Sequence, residues 1–271
     1  MNRTISSYLV TAIFLILSFS NCATSQNETR LPKEPTIVID RLSIWAEPSI
    51  QNSADIDSLV KQMIQYRAFL TKNLFNDSSI VPIRVALYKN RESYSRSRPT
   101  QIESLAHFNL ATQTIHVRVN APSEVWRHEF IHAILYQKSK QYPFWIQEGV
   151  SLLFQSIPPS DLSFCQVDVK LPFSLHRFQN DLLEDRLRIP IPEQKNFGRE
   201  DIFYDTILSA YFAFFLYQRQ ELLTLIQNMP KSNQTAFLLL LNGNYESLEK
   251  LETEFYTWLA TNQPRKSRRN C

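Results

Sequence analysis

Residues 125–135 carry apolar side chains nearly all round a helical wheel: Val125, Trp126, Phe130, Ile131, Ala133, Ile134 and Leu135. Among them stand His128, Glu129 and His132. A helix that is hydrophobic on all sides is a buried one, so the rest of the chain must cover it. The three polar side chains are costly to desolvate without strong partners. A chain of 271 residues with 44% hydrophobic content can bury a core of the size this requires. The spacing then adds chemistry. Positions four apart lie on one helix face, so His128 and His132 present two imidazoles together, with a carboxylate one step round. Two such nitrogens suit zinc, and the intervening glutamate can take a proton from a zinc-activated water without itself ligating the ion.

A third ligand is needed, and the segment Trp145-Ile146-Gln147-Glu148-Gly149-Val150-Ser151 offers Glu148, sixteen residues after His132. Residues 136–141 finish the first helix and make the connection, Pro143 opens a second helix, and Glu148 can then face back toward the histidines. Gly149 beside it permits a close helix approach. The competing pattern with three histidines fails, because Leu135 and Lys138 stand where it needs Gly and the third His. His107, His116 and His176 read as surface or strand residues rather than ligands.

Organisation along the chain follows from periodicity. Residues 36–46 read as a strand, residues 53–75 as an amphipathic helix of about five turns, and residues 83–87 and 115–119 as half-buried strands. Helical patterns cover 121–136 and 143–155, and return over 201–218, 221–228, 235–241 and 247–260. The proline-rich stretch 157–200 reads as a long irregular insertion holding one short helix. Three glycines in the whole chain exclude Gly-rich phosphate loops of the P-loop or dinucleotide kind. A net charge of +3, with much of the basic excess in the tail 263–271, predicts no nucleic-acid partner.

Residues 1–22 read as an export signal: Arg3 supplies a positive start and 8–19 form an apolar stretch too short to span a bilayer comfortably. Cys22 resembles the modified cysteine of a bacterial lipoprotein, although Asn21 departs from the usual small residue before it; simple secretion is the alternative. Lipidation would tether the domain to a membrane face through a flexible leash at 23–33. Cys165 and Cys271 could pair in an oxidising compartment or stay free.

His128-Glu129-Phe130-Ile131-His132 followed by Phe144-Trp145-Ile146-Gln147-Glu148-Gly149 resembles the peptidase MA-like family of gluzincin zinc metallopeptidases. The resemblance covers residues 34–262. It implies an α+β, zincin-like domain with a mixed part at 34–120, a metal-binding helix pair at 121–156 and a helical part at 201–262. It further implies zinc held by His128, His132 and Glu148, Glu129 as general base, and peptide or protein substrates. By the same analogy Tyr204 would donate to the developing oxyanion, with Tyr211 a second candidate better suited to core packing. The strand at 114–119 would be the edge that pairs with an extended substrate, with His116 or Arg118 reaching toward it. One departure stands out: Leu152 occupies the position, four after the ligand glutamate, where many gluzincins carry an acidic residue. The rival expectation is a non-catalytic exported peptide-binding or surface protein on the same fold.

Overall fold

The computed structural model describes residues 31–76, 81–97, 104–159, 201–232, 234–241 and 245–261, with the side chains of 201–204 excepted. They form a mixed α+β protein with one five-stranded sheet. One compact unit falls within Met1–Thr71 and Ser78–Gln137, the other within Lys72–Asp77 and Lys138–Cys271.

The first unit holds the sheet. Its strands are β1 (Ile37–Ile39), β2 (Leu42–Ala46), β3 (Ile83–Tyr88), β4 (Ala106–Asn109) and β5 (Thr114–Arg118), in the spatial order β1-β2-β3-β5-β4. β2, β3 and β5 run parallel, while β1 and β4 pair antiparallel at the two margins. The single strand expected at 36–46 is a hairpin. Asp40 (φ 47°) and Arg41 (φ 63°) make its turn in the left-handed region. Asn-Gly and Asp-Gly pairs usually announce such a turn, and an Asp-Arg pair does not. β4 also falls where no strand is apparent from sequence. Its four residues carry too little alternation to stand out, and pairing with β5 defines them.

The register gives the sheet two unlike faces. Leu42, Ile44, Ile83, Val85, Leu87, Ile115, Val117, Ala106 and Phe108 share one face, and all are buried. Two helices enclose the core of this unit: α1 (Ala54–Phe75), and beyond the short α2 (Arg91–Arg96), α3 (Ser123–Lys138). α1 starts where Ser53 can cap it, its hydroxyl accepting from Ile56 N–H at 3.4 Å. Tyr66 of α1 meets Trp126 and Phe130 of α3 edge-on at 5.5 and 6.2 Å between ring centroids. Phe108 of β4 meets Tyr136 of α3 at 5.8 Å. The opposite sheet face carries Ala86, Tyr88, His107 and His116. There Tyr94 of α2 and Leu31 join Ala86 and Tyr88 in a small separate cluster.

The second unit is helical: α4 (Phe144–Phe154), α5 (Asp201–Gln218), α6 (Glu221–Asn228), a 3₁₀ turn at Met229–Lys231, α7 (Ala236–Leu241) and α8 (Leu248–Thr261). From Thr206 to Leu216 every residue of α5 is buried, so neighbours surround this helix. α4 packs along it, with Trp145 against Phe212 at 4.9 Å and Phe154 against Tyr217 at 5.6 Å. Their approach is close because Gly149 has no side chain: a Cβ there would lie 2.5 Å from the Ser209 carbonyl oxygen and 2.8 Å from Ala213 Cβ. Phe255 and Trp258 of α8 close the other side against Phe212, Phe214 and Phe215. Among the described residues no helix is long and apolar enough to cross a membrane. The expected signal, Cys22, the insertion from residue 160 onward, Cys165, His176, and the tail with Cys271 lie outside the described residues.

Candidate metal centre

The apolar run of α3 is buried as its composition demands, without a break from Val125 to Leu135. His128 and His132, one turn apart, bring their Nε2 atoms to 3.0 Å, with ring centroids 4.7 Å apart and planes at 72°. Two nitrogens bound to one zinc at about 2.0–2.1 Å in tetrahedral geometry lie roughly 3–3.5 Å apart, so the pair already has the spacing of two ligands. The same distance also allows a hydrogen bond between one protonated and one bare nitrogen. Glu148 supplies a third donor. Ligand atoms of His128, His132 and Glu148 all lie within 4.8 Å of one another, and all three residues are buried. Two imidazoles and a carboxylate of this kind could hold a metal ion.

Neighbouring side chains fix the ligand helix. Arg127 lays its guanidinium over the rings of Tyr66 and Trp126, 5.5 Å from each centroid. Burial pulls the Arg127 pKa down, an effect opposed by the nearby Tyr66 and Glu124. Burial likewise pushes the Tyr66 phenol well above its usual range, with the Arg127 charge acting the other way. The stack anchors one side of α3 through packing as much as through charge.

Glu129, fully buried, projects toward the sheet margin. Its Oε2 accepts a hydrogen bond from Phe108 N–H of β4 at 2.8 Å. No sequence motif could have revealed this partner, because the donor is main chain on a strand that the sequence pattern does not show.

The remaining expected site residues are placed as follows. Tyr204 lies in α5, but its side chain is outside the described part. Tyr211 is fully buried in the same helix, and burial pushes its phenol pKa up. Leu152, at the position often acidic in gluzincins, is buried in the apolar packing of α4. The strand β5 is not an edge, in contrast to expectation: β3 lies on one side of it and β4 on the other. The reason is the 110–113 turn, which folds β4 back along it. In that turn Asn109 Oδ1 accepts from Ala111 N–H and Thr112 N–H, and Gln113 adopts φ 52°. His116 correspondingly points at the Tyr88 hydroxyl, with Nδ1 2.8 Å from it, rather than toward an open margin. The chain matches no family model, and no curated protein matches its sequence.

Proposed function

We propose that this protein is a zinc-dependent metallopeptidase of the gluzincin type, on a zincin-like fold, with His128, His132 and Glu148 as ligands and Glu129 as general base. The observation that carries the reading is the convergence of three buried ligand atoms within 4.8 Å, with a second buried carboxylate on the same helix turn. Zinc, when bound, supplies an acidified water and a polarised substrate carbonyl. The chain's own residues do the rest. Glu129 receives the proton of the attacking water and passes it to the leaving amine. Export by the segment 1–22, with attachment to a membrane face through Cys22 or release as a soluble protein, completes the proposal.

The test is a pair of measurements on the chain from residue 23 onward. Elemental analysis should find about one zinc per chain in both the wild type and Glu129→Gln. Peptide hydrolysis should fall by about 100- to 10,000-fold in the variant. Absence of zinc from the wild type, even after it is added back, would overturn the metallopeptidase reading. Zinc without hydrolysis of any peptide mixture would favour a binding protein on the same site.

A further inference from the structure

The main-chain contact to Glu129 reaches further than packing. In the antiparallel pair of β4 and β5, His107 stands opposite His116 and Phe108 opposite Ile115. Arg118 N–H donates to Leu105 carbonyl oxygen. Odd-numbered residues of β4 therefore turn their main-chain groups to β5, while Ala106 and Phe108 turn theirs outward. An outward amide at a sheet margin ordinarily meets water or another strand. This one meets a carboxylate 21 residues away in sequence. The donor is held from both sides: the Phe108 ring lies against Tyr136, and the Tyr94 hydroxyl lies 2.8 Å from Nδ1 of the adjacent His107 on the other face. A side-chain donor could swing; an amide inside a paired strand cannot.

We propose that the Phe108 amide is a positioning group for Glu129, resting on the metallopeptidase reading above. It fixes the carboxylate through Oε2, so that Oε1 is the oxygen that exchanges a proton with water. The contribution is orientation. A misplacement of about 1 Å at a reacting group can cost on the order of 100-fold in rate, and a glutamate with three side-chain torsions has ample room for it.

Phe108→Pro tests this, because proline deletes the amide hydrogen where β4 does not use it in the ladder, a position a strand tolerates. Phe108→Ala, which keeps the amide and loses the ring, is the reference. The expected result is that kcat of Phe108→Pro falls about 10- to 100-fold below that of Phe108→Ala, with KM and zinc content alike in the two. Equal kcat in the two variants would overturn the proposal. A second readout needs no activity and no proline. In the metal-free protein, hydrogen exchange at the Phe108 amide, followed by NMR, should be about tenfold or more faster in Glu129→Ala than in wild type. Unchanged exchange would equally overturn it. A protein that binds no zinc and cleaves nothing, yet shows the exchange difference, would retain the hold on Glu129 and refute the metallopeptidase reading alone.

Discussion

Two buried histidine pairs in this protein have the same spacing and opposite meaning. His128 with His132, and His107 with His116, each place their ring centroids 4.7 Å apart. In the helical pair the planes cross at 72° and the Nε2 atoms face each other at 3.0 Å. In the cross-strand pair the planes lie at 6°, stacked, and each Nδ1 turns to a tyrosine hydroxyl 2.8 Å away, Tyr94 for His107 and Tyr88 for His116. Convergent lone pairs suit a shared cation. Stacked rings whose Nδ1 atoms engage separate hydroxyls suit a packed polar cluster. Residue type and burial do not separate a ligand from a packing residue; the direction of the nitrogen does.

The contrast breaks most visibly in metal content. His132→Ala should lose stoichiometric zinc and with it hydrolysis, while His116→Phe should keep about one zinc per chain by elemental analysis. Zinc lost from both would erase the distinction. A smaller effect is expected at Gly149, where a methyl group meets main chain. Gly149→Ala should destabilise the protein by about 3 kcal/mol, the upper end for overpacking, in urea denaturation. It should also weaken zinc binding, because Glu148 precedes it on the displaced helix.

On the packing side, Tyr94→Phe removes a buried hydroxyl from His107. The expected cost is about 1–2 kcal/mol in denaturant midpoint, with zinc content unchanged; a change in zinc content would give the cross-strand pair a part in the metal site. The smallest effect concerns alkaline pH. Burial pushes the Tyr142 phenol up, and its hydroxyl donates to the Ile226 carbonyl oxygen at 2.6 Å. Above about pH 10 the unfolded tyrosine ionises while the folded one keeps its proton. Stability therefore falls with rising pH, by at most about 1.4 kcal/mol per unit from this group. Tyr142→Phe should flatten that fall in a series of melts from pH 9 to 11; an unaltered slope would assign it elsewhere.

Much of the helical architecture was legible in advance. The apolar pattern over residues 53–75 corresponds to the helix Ala54–Phe75, and those over 201–218 and 221–228 to Asp201–Gln218 and Glu221–Asn228. Helical periodicity is local, since the residues that define it lie within a turn or two of one another. The sheet was less legible. β3 and β5 showed through the alternation of Ile83, Val85 and Leu87 and of Ile115 and Val117. The turn at Asp40 and Arg41 lacks its usual glycine, and Ala106-His107-Phe108-Asn109 becomes a strand only through its neighbour.

The same division runs through the candidate site. By itself the sequence determined that His128 and His132 share one face of a buried helix, because 3.6 residues per turn and an all-round apolar run leave no other reading. It also offered Glu148, sixteen residues on, as the third ligand. Tertiary structure alone decided that β4 rather than β5 is the outer strand, and that Phe108 offers its amide to Glu129. Strand order and the aim of a main-chain N–H depend on contacts between segments tens of residues apart, and no local spacing encodes them.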